Sequence, residues 1–170
     1  MKKLILFALA LFCMISCSQT PENKVSSLIR ANIEKSLAHP DSYEAIETVV
    51  DSAFAPFDDP TFYQKTLEIC LLNVEEMDDS LTKEVQKRIQ ELSEMMGLEY
   101  RFIGFKVMHR FSAKNGDGET FTGEKVYIMD KDMKKIIAQY NIESIDYIMV
   151  QTMYNLWIDE SLSNHSKNDI

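Results

Sequence analysis

The segment that most restricts the fold of this chain is a run of alternating residues that ends in a glycine-rich turn. The apolar positions of the run are Phe105, Val107, His109 and Phe111, and the positions between them hold Lys106, Met108, Arg110 and Ser112. This alternation is typical of a strand with one apolar and one polar face. Asn115-Gly116-Asp117-Gly118 follows, and Asn-Gly supplies the left-handed backbone that tight hairpin turns require. Further strands over 120–129 and 134–141, joined by a turn at 130–133, complete a predicted antiparallel meander.

Helical spacing of apolar residues predicts four helices around these strands. The first begins at Thr20-Pro21-Glu22, ends at Pro40 and has an apolar side formed by Val25, Leu28, Ile29, Ile33 and Leu37. The second runs from Asp59-Pro60 to about Val74, after a turn-rich break over 55–60. The third is stopped by Gly97, and its apolar stripe is Leu81, Val85, Ile89, Leu92 and Met96. The fourth begins near Ser144, and one face of it holds Ile145, Ile148, Met149, Thr152, Met153 and Leu156.

Residues 43–50 are rich in β-forming side chains and predict one more strand between the first two helices. The element order is then α-β-α-α-β-β-β-α. This order predicts an α+β domain, an antiparallel β-meander sheet with helices packed on one face. We assign the single domain to residues 21–160 and expect the polar segment 161–170 to be a flexible tail.

The N-terminal sixteen residues have the layout of a secretory signal. Lys2 and Lys3 precede an apolar run over 4–15 that is short for a membrane-spanning helix. The sequence Met14-Ile15-Ser16-Cys17 resembles the lipobox of bacterial lipoproteins. That resemblance implies a signal peptide over 1–16, a lipidated N-terminus over 17–20 and acyl chains on Cys17. Two other interpretations remain open, an ordinary signal peptide cut elsewhere and a short membrane anchor.

The lipoprotein resemblance also implies a location in the cell envelope. Ser18, after the cysteine, resembles the sorting signal for the outer membrane, with the domain facing the periplasm or the outside. The membrane would then be one partner through the lipid anchor. Pro21 follows Cys17 closely, so the domain is expected to sit near the membrane rather than on a long tether.

Charge and cysteine content exclude other classes of function. The chain carries a net charge of −9, and loss of residues 1–16 would leave 16 basic and 27 acidic residues, a net charge of −11. Binding to nucleic acid depends on neutralising phosphates, so no nucleic-acid partner is expected. Cys70 would be the only cysteine left without lipid, which rules out an internal disulfide. It lies in an apolar stretch and is interpreted as a small buried hydrophobe.

The sequence does not match the common motifs for catalysis, for metal binding or for cofactor binding. An EF-hand loop counted from Asn115 would need glycine and an acid where Thr120 and Val126 stand. The histidines, His39, His109 and His165, lack the spacing of a zinc protease, and His109 is interpreted as a core or edge histidine. There is no Gly-x-Ser-x-Gly elbow and no glycine-rich phosphate loop. We therefore assign no catalytic residue, no metal ligand and no cofactor.

Two short motifs resemble those of small uncharacterised bacterial lipoproteins and related domains of unknown function. They are Pro40-Asp41-Ser42-Tyr43-Glu44 and the strand end Ala113-Lys114-Asn115-Gly116. This sequence departs from the pattern at His39, where an acid would stand, and at Ser112, where a basic residue would stand. The resemblance supports the fold and implies no activity.

One strand also offers a candidate binding surface. Lys106, Arg110 and Lys114 share a strand face and form a local basic stripe that would suit an anionic ligand or partner. In the other interpretation they belong to an exposed face balanced by acids such as Glu124. We expect a non-enzymatic binding or assembly module with an envelope protein partner. The alternatives are an envelope glycan or peptide hydrolase with unidentified carboxylates, or a small inhibitor or ligand-sequestering lipoprotein with an exposed apolar patch.

Overall fold

The structure is a computed structural model that describes residues 21–72, 79–97 and 100–168. The four helices are α1 (Pro21–Glu34), α2 (Pro60–Cys70), α3 (Asp79–Met96) and α4 (Ile145–Asn168). The four strands are β1 (His39–Ala55), β2 (Arg101–Lys114), β3 (Thr120–Met129) and β4 (Ile136–Asn141). The predicted lipidation site Cys17 and the predicted signal segment 1–16 lie outside the described residues.

The strands form one antiparallel sheet in the order β1-β2-β3-β4. The element order is the predicted one, and the α+β class with an antiparallel meander is confirmed. β2 pairs with β3 without a break from Phe105–Met129 to Lys114–Thr120. Since the register is regular there, alternate residues of β2 face opposite sides of the sheet along this whole length.

Helices cover both faces of the sheet, whereas the sequence predicted helices on one face. On the first face, Val25, Ile29 and Ile33 of α1 pack against a core that includes Val107, Phe111, Tyr127 and Met129. On the second face, rings of α2 and α4 meet the sheet at Tyr140, whose ring centroid lies 4.2 Å from that of Tyr63. Four consecutive residues of β3, Val126 to Met129, are all buried. A strand with both of its sides buried needs cover on both faces, and the prediction of one covered face is wrong for that reason.

Several element ends differ from the predicted ones. α1 ends at Glu34, where the Ser36 hydroxyl donates to the Ile33 carbonyl, and Pro40 lies inside β1 instead of ending the helix. β1 is therefore much longer than the predicted 43–50. α2 begins as predicted, with the Asp59 carboxylate accepting from the Thr61 N–H, but it ends at Cys70. β4 begins at Ile136, and α4 continues to Asn168, through most of the predicted tail.

The β2–β3 turn forms where it was predicted, with a different glycine in the left-handed conformation. Gly118 has a φ of +82°, and its N–H donates to the Asn115 carbonyl over 3.0 Å. The Asn115 side-chain oxygen accepts from the N–H groups of Asp117 and Glu119. The Asn115 side chain thus holds the start of the turn. Gly118 adopts the left-handed conformation at its end without the steric strain that a side chain would add.

None of the described helices combines the length and the apolar character that crossing a membrane requires.

Candidate binding surfaces

The three cations of the predicted basic stripe lie on one face of β2, but two of them are neutralised by acids. The Lys106 ammonium lies 3.0 Å from the Asp58 carboxylate, and the Arg110 guanidinium lies 3.2 Å from that of Glu47. Arg110 also stands directly opposite Glu124 in the β2–β3 register. Of the three, only Lys114 has no ion-pair partner among the described residues. The geometry thus favours a charge-balanced sheet face over a continuous cationic surface.

Lys114 lies instead where the two short motifs of the sequence meet. Its backbone N–H donates to the Ser42 hydroxyl over 2.8 Å, and that hydroxyl donates to the His39 carbonyl over 2.6 Å. The pairing of β1 with β2 shifts between His39 and Glu44, so several residues of the first motif bulge out of the ladder. Ser42 fills the resulting gap in backbone hydrogen bonding. The two motifs are therefore two halves of one structural unit.

An open groove lies beside this bulge. Its volume is about 660 Å³, and its charged lining residues are His39, Asp41, Glu44 and Lys114. The groove thus contains two carboxylates, those of Asp41 and Glu44, and one ammonium group, that of Lys114. These side chains project from an irregular edge of the sheet. A second open cleft, of about 590 Å³, separates α2 from α3 and is bridged by Lys65–Glu91 and Arg88–Glu68 ion pairs of 2.7 and 3.1 Å. Those ion pairs tie the two helices together across the cleft.

His109 is fully buried in the first face of the sheet. Its Nε2 lies 2.7 Å from the Tyr43 hydroxyl, and its Nδ1 lies 2.9 Å from the Thr48 hydroxyl. Its ring stacks on those of Tyr43 and Phe111. Burial lowers the pKa of His109 because the charged ring would lose its water. Both ring nitrogens bond to hydroxyls, as expected of a core histidine with a structural role.

Tyr43 extends this buried unit toward α1. The Arg30 guanidinium lies 5.4 Å from the centre of the Tyr43 ring, within the range of a cation–π contact. The same guanidinium bonds to Glu34 over 2.7 Å, and burial raises the pKa of the Tyr43 hydroxyl. Tyr43, the aromatic residue of the first motif, therefore connects α1 to β2. This packing role gives a structural reason for an aromatic residue at that position.

Neither metal nor thiol chemistry gains support from the described residues. No group of three or more His, Cys, Asp or Glu side chains in that part of the chain is arranged to hold a metal ion. Cys70 is half-buried, and burial raises the pKa of its thiol, which disfavours the reactive thiolate.

The outer face of α4 contains apolar residues that the helical pattern predicted to face the core. Of the predicted stripe, Ile145, Ile148 and Leu156 are 74%, 53% and 58% exposed, and Thr152 is exposed as well. Met149 and Met153 of the same stripe are half-buried. The opposite side of the helix is buried, with Val150 and Tyr154 packed against Phe62 of α2 and Leu92 of α3. A helix with apolar residues on two opposite sides is usually covered on both. The outer face of α4 is therefore an exposed apolar surface.

Comparison with protein-family models, with curated proteins and with solved structures found no match.

Proposed function

We propose that this protein is a lipid-anchored protein of the cell envelope whose domain binds another envelope protein through the outer face of α4. The observation that carries the binding function is the exposure of Ile145, Ile148 and Leu156 along one side of a helix. Thr152, on the same side, adds no charge to it. Apolar side chains grouped in this way on a surface are typical of protein interaction sites.

The lipobox-like sequence ending in Cys17 supports the anchoring part of the proposal, together with the closeness of Cys17 to the first residue of α1. Two or three acyl chains on one cysteine would hold the domain firmly at a membrane surface. Replacing Cys17 by Ala should release the protein from the membrane fraction. Mass spectrometry of the wild-type N-terminus should show an acylated cysteine. Unchanged membrane association of the Cys17→Ala variant would contradict the anchoring proposal.

Photo-crosslinking in intact cells tests the binding surface. A photoreactive amino acid introduced at Leu156 should give a discrete adduct with one protein. The same amino acid at Asp117, in the exposed β2–β3 turn, should not. Adding Ile148→Glu should abolish the adduct formed at position 156, because a carboxylate would be buried without a partner in the complex.

An adduct that survives Ile148→Glu would show that the outer face of α4 is not the contact. An adduct of twice the protein's own mass would show self-association and contradict binding to a different protein. Circular dichroism of the Ile148→Glu variant controls for loss of the fold.

A further inference from the structure

The outer edge of β1 is open over its central part. Glu47 to Ala53 pair in unbroken register with Arg110 to Gly104 on one side only, because β1 is the terminal strand of the sheet. In an antiparallel ladder, the backbone groups of alternate residues point away from the neighbouring strand. No backbone hydrogen bond from elsewhere in the described residues reaches those groups. This seven-residue stretch therefore offers free donors and acceptors in strand geometry.

Natural proteins usually protect such an edge with lysine, proline or a bulge. Register shifts occur on either side of the stretch, between Ala45 and Glu47 and between Ala53 and Phe54. Between those shifts the stretch contains neither lysine nor proline. Its pairing with β2 is regular over seven residues, which suits strand addition by a second chain.

The side chains of this stretch have a definite chemical pattern on one face. Glu47, Val49 and Asp51 alternate along the edge and are all exposed, with Val49 38% exposed. Met108, which stands opposite Val49 in β2, is 43% exposed and widens the apolar spot between the two carboxylates. β1 has no lysine or arginine along its whole length. An incoming strand would therefore meet acid, apolar and acid side chains in turn.

We propose that the β1 edge accepts an extended segment of a partner protein with the pattern basic-x-apolar-x-basic, which adds a fifth strand to the sheet. The two basic side chains would pair with Glu47 and Asp51, and the apolar one would cover Val49 and Met108. Arg110, now paired with Glu47, faces Glu124 in register and can turn to that carboxylate when a ligand takes Glu47. This site lies on the sheet edge and does not depend on the outer face of α4.

A synthetic heptapeptide, acetylated and amidated at its ends, with the sequence Thr-Lys-Thr-Val-Thr-Lys-Thr, is the probe. It should bind weakly and shift the NMR signals of the amides of Glu47 to Ala53. It should slow hydrogen exchange at the alternate amides of this stretch that point away from β2. A peptide with glutamate in place of both lysines should not bind. Two further peptides carry N-methyl groups on alternate residues, in opposite phases. One phase removes the donors that face β1 and should abolish binding, while the other should bind like the parent.

Protein variants test the charge pattern. The double variant Glu47→Gln with Asp51→Asn should weaken binding of the lysine peptide roughly three- to tenfold, since each cross-strand charge pair contributes modestly. Asp117→Asn, which removes an exposed acid in the β2–β3 turn, is the control and should change binding by less than about twofold. Added salt should weaken binding to the wild type more than to the double variant.

Three outcomes would overturn the inference. They are equal binding of the glutamate and lysine peptides, equal binding of both N-methylated peptides, and amide shifts on α4 instead of β1. Loss of crosslinks at Leu156 would leave this inference standing, and failure of the peptide to bind would leave the proposed partner of α4 standing. The two results are therefore distinguishable.

Discussion

At the scale of single residues, His109 makes stability depend on pH in a defined direction. Burial lowers its pKa in the folded state, while in the unfolded chain it titrates near its ordinary value of 6.5. The unfolded state therefore binds the proton more readily. His109 contributes stability that is present above about pH 6.5 and is lost as the pH falls through the folded-state pKa.

Urea unfolding at a series of pH values between about 8 and 5.5 measures this contribution. His109→Gln retains hydrogen-bonding groups for Tyr43 and Thr48 but cannot titrate. The free energy of unfolding should fall more steeply on acidification in the wild type than in this variant. Parallel curves for the two proteins would show that His109 is not the titrating group, since His39, which is exposed, is present in both.

Gly104 is the residue for which the fold allows no side chain. Its φ is +154°, and a Cβ at this position would overlap the Met129 carbonyl oxygen. Gly104→Ala should lower the free energy of unfolding by about 3 kcal/mol or more, because both backbone strain and overpacking contribute. In the matched control Gly116→Ala, the added Cβ meets no atom within 4 Å. That variant should change stability by no more than about 1 kcal/mol, and equal losses in the two variants would contradict the steric argument.

At the scale of elements, the β1 bulge depends on one hydroxyl. Ser42 accepts from the Lys114 N–H and donates to the His39 carbonyl, so it joins the two strands where their ladder is interrupted. Ser42→Ala should reduce the free energy of unfolding by about 1 kcal/mol. It should also speed hydrogen exchange at the Lys114 amide. Ser52→Ala, at an exposed and regularly paired position of the same strand, is the control and should be close to neutral.

The two sides of α4 should respond differently to substitution. Val150 is fully buried against α2 and α3, and Val150→Ala should cost about 2 kcal/mol through lost contacts and a cavity. Ile148 is half-exposed, and Ile148→Gln should change the stability of the isolated domain by less than about 0.5 kcal/mol. Thermal unfolding of both variants checks the assignment. A large loss for Ile148→Gln would place that residue in the core instead of on the surface.

The orientation of α4 shows where a periodic pattern misleads. Two apolar stripes compete on this helix, the predicted one through Ile148 and another through Tyr147, Val150, Tyr154 and Trp157. Periodicity gives each of them the spacing of a helix face. The aromatic stripe is the buried one because its rings fill the space around Phe57 and Phe62, with centroid distances of 5.3 Å from Tyr154 to each. Phe57 and Phe62 come from a distant part of the sequence. The pattern of residues within α4 therefore contains no information about these neighbours.

At the scale of the whole molecule, the sheet separates two apolar cores. α1 covers one face, while α2, α3 and α4 form an aromatic-rich cluster on the other side. β2 and β3 are paired along both of their edges, and β1 and β4 along one. Amide hydrogen exchange should therefore be slowest in Val107–Phe111 and Val126–Met129. Slower exchange in the edge strand β4 than in these segments would show that the sheet opens from its centre.

Most of the fold could be predicted because local chemistry determines it. The alternation in β2, the turn after Lys114 and the apolar side of α1 each depend on neighbours in sequence, and the order of elements followed from them. The second covered face could not be predicted in this way, since it depends on contacts between Tyr63 and Tyr140, far apart in the chain. The same limit applies to the basic stripe, because Asp58 and Glu47, which neutralise it, come from other elements.

The buried ring of His109 also provides an intrinsic NMR signal that depends on the folded state. One ring nitrogen of His109 must carry a hydrogen, and both nitrogens are bonded to hydroxyls away from solvent. That hydrogen should exchange slowly enough to give a resolved proton resonance downfield of the backbone amides. The signal would disappear when the sheet opens, so the folding state of the domain could be followed without any added label.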